Sequence, residues 1–185
     1  CPASDAVFSY DPANGKEIWR VNYPDGYSVT PRPVYGSGLV YVCTGFNKPH
    51  LLAIDPTGQG DVTESHLKWD VDKAIPHSPS ILHLDGYVYL VSDKGIASCL
   101  DAKTGEEQWQ ERLGGNFSAS PLAAEGRIYF QDENGKTTVV AASPEYKMLG
   151  TSELNPDERT FASYAVAPGV LFLRSEGGLY RIEQK

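Results

Sequence analysis

The stretch Ser98-Cys99-Leu100-Asp101-Ala102-Lys103-Thr104-Gly105-Glu106-Glu107-Gln108-Trp109 decides the fold, because the same phrase recurs along the chain, whole or eroded. An apolar run ends in Asp, a polar turn closes on Gly, and a Trp follows four residues after the Gly. Asp accepts hydrogen bonds from turn backbone and Gly takes positive φ, so the pair predicts a tight hairpin between two strands. The Trp falls on the outgoing strand, where a large flat side chain can cover a neighbouring sheet. The phrase carries no catalytic or phosphate-binding signature, so its reading is architectural.

Working outward, four kinds of segment recur in fixed order. The first, a, places a hydroxyl beside Pro at Thr30-Pro31, Ser78-Pro79 and Ser120-Pro121, and becomes Ser163-Tyr164 in the last copy. The second, b, is Gly, two residues and an aromatic, at Gly38 to Tyr41, Gly86 to Tyr89, Gly126 to Tyr129 and Gly169 to Phe172, with intervals of 48, 40 and 43 residues. The third, c, is the run into Asp11, Asp55 and Asp101, with eroded copies at Thr138 to Ser143 and Leu179 to Ile182. The fourth, d, carries Trp19, Trp69 and Trp109, and a copy around Tyr146 to Thr151 has lost both Gly and Trp.

Each segment is short, β-branched or aromatic, and bounded by Gly, Asp, Asn or Pro, which predicts strands. Four strands per repeat of about 40–45 residues is the pattern of a β-propeller blade. The predicted class is therefore all-β, a single propeller with blade segments at about 1–22, 27–71, 75–112, 117–152 and 160–185. The chain opens on c–d and closes on a–b–c, so segment c occurs five times and the others four. That surplus predicts an open arc of a larger ring, with an N-terminal half outside this sequence and Lys185 as a true C-terminus. It also predicts that the missing half or a second copy completes the ring, since an arc leaves sheet faces without neighbours.

Composition agrees and excludes some partners. The 185 residues hold 11 Tyr, 18 Gly and 13 Pro but one Met, a balance that suits short strands and turns. A net charge of −8 argues against nucleic acid, whose phosphates need clustered Lys and Arg. No apolar run reaches the 18 or so residues of a membrane-spanning helix. Cys1, Cys43 and Cys99 form no CxxC pair, and the latter two fall in apolar runs expected to hold inert thiols.

The copies Asp11-Pro12-Ala13-Asn14-Gly15-Lys16-Glu17-Ile18-Trp19 and Asp101 to Trp109 resemble the tryptophan-docking motif of the pyrroloquinoline-quinone (PQQ) repeat family. The resemblance covers nearly the whole chain and implies a ring of eight blades, about four of them present. It implies structural docking roles for Trp19, Trp69, Trp109, Asp11, Gly15, Asp101 and Gly105. Within the family, the chain resembles both quinoprotein dehydrogenases and the BamB-type assembly proteins, which are binding scaffolds without cofactor.

The expected role is a non-catalytic binding or protein-interaction scaffold, exported or periplasmic. A PQQ- and calcium-dependent dehydrogenase and a carbohydrate- or peptide-binding propeller are the alternatives. No calcium set of Glu, Asn and Asp maps onto matching positions, and no adjacent cysteines occur, so no cofactor, metal or catalytic residue is assigned unless a missing half completes a site. Because the innermost strand lines the channel, polar residues at its entrance are the candidate ligand-binding groups. Aligning the copies puts Tyr27, His77, Asn116, Phe117 and Arg159 near one mouth, with Arg32 just past the Thr-Pro step. His77 followed by Ser78 does not suggest a nucleophile and base, since neighbours on an extended chain point apart. His50, His66 and His83 lack zinc spacing and are expected at the surface.

Overall fold

The computed structural model describes residues 1–154 and 157–183, so the expectation for Lys185 lies outside the described residues. Blade 1 consists of β1 (Ala6–Tyr10) and β2 (Glu17–Asn22), followed by a short β3 (Gly26–Tyr27). Blade 2 has β4 (Val34–Gly36), β5 (Leu39–Cys43), β7 (Leu51–Ile54) and β9 (Leu67–Val71). Two interruptions fall inside it: β6 (Phe46–Asn47), which pairs with β3, and the insertion holding β8 (Gly60–Asp61) and the single-turn α1 (Thr63–His66). Blade 3 is β10 (Leu82–Leu84), β11 (Tyr87–Val91), β12 (Ile96–Asp101) and β13 (Glu107–Arg112). Blade 4 is β14 (Leu122–Ala124), β15 (Arg127–Gln131), β16 (Lys136–Ala141) and β17 (Met148–Glu153). Blade 5 is β18 (Ala165–Ala167), β19 (Val170–Arg174) and β20 (Leu179–Glu183). Every blade is an antiparallel meander in sequence order, so segments a to d are the four strands and the described residues form an open arc.

Local chemistry sets each strand break. The b hairpins turn on Ser37-Gly38, Asp85-Gly86 and Glu125-Gly126, with φ pairs of 50° and 82°, 49° and 84°, and 52° and 71°. Two successive positive φ values make the mirror-image turn whose twist matches the flanking strands. The c–d turns are built by the Asp of the opening phrase. Asp101 Oδ1 accepts from the N–H of Lys103 and Thr104, and the Gly105 N–H donates to Asp101 O. Asp11 accepts likewise from Ala13, with Gly15 closing on Asp11 O.

Register repeats from blade to blade. A bulge interrupts each c–d ladder between Ser9 and Tyr10, Ala53 and Ile54, Cys99 and Leu100, and Val139 and Val140. Just before it, Trp19 pairs with Ser9, Trp69 with Ala53, Trp109 with Cys99, and Gly150 with Val139. The fourth docking position is thus occupied by glycine, which locates the erosion seen in the sequence.

Apolar clusters fill three seams between blades. Val7, Trp19, Val42, Leu52 and Val62 close the first, Tyr41, Leu51, Ile75, Val88 and Leu100 the second, and Tyr89, Cys99, Trp109, Phe117, Ile128 and Phe130 the third. The fourth seam is polar. Thr137 and Tyr164 share a hydroxyl hydrogen bond across it, and Tyr164 meets Tyr129 edge to face. Gln131, 2% exposed, has no partner for either amide atom. An unmet buried polar group costs about 1–3 kcal/mol, so this seam is the least favourable of the four.

A belt of hydrogen bonds runs inside the arc. Arg32 N–H donates to Ser80 Oγ, Ser80 N–H to Ser120 Oγ, and Ser120 N–H to Ser163 Oγ, at 3.1, 3.0 and 2.9 Å. Equivalent positions are therefore Arg32, Ser80, Ser120 and Ser163, each two residues before its inner strand. The hydroxyl-Pro alignment mixes two registers: Thr30 and Ser78 stand two residues earlier in their blades than Ser120 and Ser163. Proline does not mark the repeat, because the conserved act is a backbone N–H finding the next blade's hydroxyl.

Two expectations change. The three histidines expected at the surface are half-buried: His83 stacks on Tyr41 at 5.8 Å and shares a 2.9 Å hydrogen bond with Ser37 Oγ, while His50 bonds Asp70 Oδ1 and His66 bonds Ser65 Oγ, each at 2.7 Å. The copy at Asp55 keeps its turn, but its insertion folds back across blade 1, with β8 parallel to β2. Asn22 N–H donates to Thr63 Oγ1 and its side-chain amide to Asp61 Oδ2.

A β-carbon on Gly105 would stand 2.8 Å from the Trp69 ring, at φ +73°, whereas one on Gly15, at φ +72°, meets nothing within 4 Å. Gly105→Val is expected to cost about 3 kcal/mol through collision plus backbone strain, and Gly15→Ala about 1 kcal/mol through φ alone. Urea-unfolding midpoints check this; equal losses would mean that the Trp69 contact does not constrain the turn.

Candidate functional site

The connector into each inner strand and the b–c loop meet at one end of the channel, and an acidic side chain ties them together. Asp93, Glu133 and Glu176 occupy the same loop position in blades 3, 4 and 5. Asp93 Oδ2 accepts the His77 N–H at 2.6 Å, and its carbonyl accepts the Phe117 N–H of the next blade. Glu133 is used more fully: Oε1 accepts from Ser118 Oγ, Oε2 from the Arg159 guanidinium, both at 2.7 Å. The Glu133 N–H donates to Asn116 O, and the Glu176 N–H to Arg159 O. These bonds order the mouth blade by blade.

Around this frame lie exposed aromatics. Pairing of β3 with β6 sets Tyr27 opposite Phe46, their rings 5.5 Å apart, and Phe46 meets the His77 ring at 5.4 Å. Tyr27 and Phe46 are 43% and 51% exposed, too open to serve the core. A cleft of about 520 Å³ opens beside them, lined by Phe46, Ile75, His77, Ser78, Asp93 and Lys94 among others. Further round, the Arg159 guanidinium lies 4.8 Å over Phe161, which is 50% exposed.

The structure thus brings Tyr27 and His77 together through Phe46, and places Arg159 and Asn116 on Glu133. Arg32 sits instead on the hydroxyl belt, its side chain exposed. Phe117 belongs to the third seam, 2% exposed, and offers nothing to a ligand. Sequence reasoning missed the acids and Phe46. A recurrent phrase could have shown the acids, in Ser92-Asp93-Lys94-Gly95, Asp132-Glu133-Asn134-Gly135 and Ser175-Glu176-Gly177-Gly178. Phe46 stands in an interruption peculiar to blade 2, so alignment of repeats gave no signal.

The docking residues sit at the outer seams. Trp69 Nε1–H donates to Ala102 O at 3.1 Å and Trp109 Nε1–H to Ser143 O at 3.0 Å, each in the next blade's turn. Trp19, 4% exposed, is covered by Val62 from the insertion. The described residues supply no carboxylate cluster for the calcium that the repeat family implies. No group of three His, Cys, Asp or Glu is placed to hold a metal ion there, and Glu133 spends its oxygens on Ser118 and Arg159. No helix among them is long and apolar enough to cross a membrane.

Repeating four-stranded sheets, joined by an indole that reaches the next blade's turn, define a β-propeller of the PQQ-like type. The chain belongs to the family described as outer membrane protein assembly factor BamB, whose profile matches residues 3–146. Compared by sequence with the curated proteins, it matches none. Among solved structures, BamB from Moraxella catarrhalis is similar over 98% of this chain and 53% of its own, at 19% identity and a TM-score of 0.75. The chain therefore spans about half the length of that BamB. A europium-containing methanol dehydrogenase is similar over 93% of this chain and 38% of its own, at 12% identity and a TM-score of 0.65. The computationally designed Ika4 protein is similar over 91% of this chain and 98% of its own, at 13% identity and a TM-score of 0.70. Identities this low show the shared fold alone.

Two titration outcomes follow. Hydrogen bonds from the Thr57 hydroxyl and N–H, with Lys68 nearby, hold the Asp55 carboxyl at about 2, below its ordinary 3.8. The unfolded chain therefore takes up this proton first, and the contribution present above pH 4 is lost as pH falls towards 2. Asp55→Asn should flatten that part of the stability profile, as read by thermal melts between pH 2 and 5; an unchanged slope would remove the turn from the account. Burial pushes the Cys43 and Cys99 thiols up to about 12, while Cys1 is exposed. A thiol reagent at pH 8 should modify Cys1 alone in the native protein and all three cysteines in denaturant.

Proposed function

We propose that this chain is part of a periplasmic binding scaffold for outer membrane protein assembly, and that the aromatic channel mouth holds a protein segment. The observation that carries this reading is the aromatic row of exposed Tyr27 and Phe46 with half-buried His77, beside a cleft of about 520 Å³. Aromatic side chains give large contact area at small entropic cost, which is why they dominate binding hot spots. Asp93 and Lys94 at the same cleft offer one acceptor and one donor to the backbone or side chains of an extended segment. Membership in a family of assembly factors supports a protein partner. The same membership supports export to the periplasm.

In this reading the acids are positioning groups. Glu133 and Asp93 hold the connectors that carry Arg159 and His77, so the mouth is ordered before a partner arrives and binding forfeits little conformational freedom. The carbohydrate reading would lean instead on Arg159 over Phe161, whose guanidinium is already committed to Glu133.

The test is fluorescence anisotropy of a labelled, unfolded outer-membrane β-barrel precursor titrated with the protein. Tyr27→Ala with Phe46→Ala should weaken binding about tenfold or more while circular dichroism stays unchanged. Equal affinity in the double variant would move the site away from the mouth. Stoichiometric uptake of PQQ with calcium, seen as quinone absorbance, would overturn the scaffold reading in favour of a quinoprotein.

A further inference from the structure

The three tryptophans of the outer strands show what the seams of this protein are built to hold. Beside two of them, a residue of the third strand and an aromatic of the second form the floor: Trp69 lies on Ala53 with Tyr41 at 5.7 Å, and Trp109 on Cys99 with Tyr89 at 6.2 Å. Blade 4 keeps this floor as Val139 and Tyr129, in the same register and with the same bulge, but presents Gly150 where the indole belongs. A side chain starting at Gly150 would meet nothing within 4 Å. The space is a cleft of about 400 Å³ lined by Arg127, Tyr129, Val139, Leu149, Thr151 and Ser152, together with Gly150 itself.

We propose that this cleft is a docking slot for a tryptophan side chain carried by an extended segment of a partner protein. The internal copies name the occupant, since the homologous space is filled by indole at every other docking position of the chain. Two features specific to blade 4 favour an aromatic supplied from outside. Arg127 lines the cleft with its side chain 49% exposed and a long 3.6 Å ion pair to the more exposed Glu125, where the equivalent residues of blades 2 and 3 are Leu39 and Tyr87, and of the aromatic rings indole is the one that attracts a cation most strongly. Thr151 and Ser152 at the rim carry hydroxyls able to accept the indole N–H, the part that Ala102 O and Ser143 O play for Trp69 and Trp109. Access is from outside, because β17 is exposed along its whole length, with Met148 and Leu149 56% and 45% exposed at the edge of the cleft. The slot lies at the outer strand, away from the inner-strand mouth, and stands independently of the proposal made for that mouth.

The probe is a fluorescein-labelled nine-residue peptide of Ser and Thr with one central Trp, and its Trp-to-Ala counterpart, each titrated with the protein. The Trp peptide is expected to bind at least tenfold more tightly than the Ala peptide. Gly150→Trp, which restores the residue of the sibling blades, should abolish the difference and raise Tm by about 3 °C or more through filling the seam. Arg127→Gln, an exposed change that leaves the core untouched, should weaken the Trp peptide several-fold and so tests the slot even if Gly150→Trp does not fold. Tyr27→Ala with Phe46→Ala should leave the Trp peptide unaffected, which separates this site from the mouth. Equal affinity of the two peptides for the unmodified protein, or undiminished Trp-peptide binding by Gly150→Trp, would overturn the proposal.

Discussion

A blade stacked radially has two faces to bury and no water-facing side, so everything in this protein depends on how each seam is closed. In the second and third seams the closing element is an indole, of Trp69 and of Trp109, whose N–H is satisfied by a turn carbonyl of the next blade. A large apolar surface and a single donor are thereby buried together, which avoids the penalty of an unmet polar group. Tyr41 adds a second donor to the same carbonyl that receives Trp69. Gly105 has to be glycine on two counts, because its turn demands positive φ and the indole lies against its α-carbon.

The seams are not equal. Three hold apolar clusters, and the fourth substitutes a hydroxyl pair, a stranded amide at Gln131 and a gap at Gly150. The division separates two kinds of surface: apolar clusters fill three seams, while exposed aromatic and apolar side chains gather at the inner mouth and at the outer edge of blade 4. Acidic residues at the mouth show the same economy, since Glu133 holds its own connector and that of the following blade with one side chain.

Strand order, blade phase and the docking role of Trp69 and Trp109 were legible in the sequence because they rest on local rules: short apolar runs bounded by turn residues, turns needing Gly, and Asp capping its own backbone. The inner belt was not legible in the right register. Thr30-Pro31 and Ser120-Pro121 look alike, yet the belt is defined by N–H groups meeting hydroxyls across blades, a pairing that leaves no mark on neighbouring residues. Blade 4 was read as eroded, and only the bulge at Val139 and Val140 shows that Gly150 stands in the tryptophan place. At the mouth, Tyr27 and His77 were found by counting back from aligned strands. Phe46, which joins them, lies in an interruption without counterpart, and His83 is held in place by Tyr41 and Ser37 of the preceding blade.

The insertion that carries β8 gives the chain a direction of assembly. Asn22 donates to a hydroxyl 41 residues downstream, and the outer edge of β2 has its partner only in β8. As the chain emerges from the ribosome, β2 is therefore complete well before the strand that pairs with its outer edge. A chain ending before Gly60 would leave the outer edge of β2 without the partner it has in this structure.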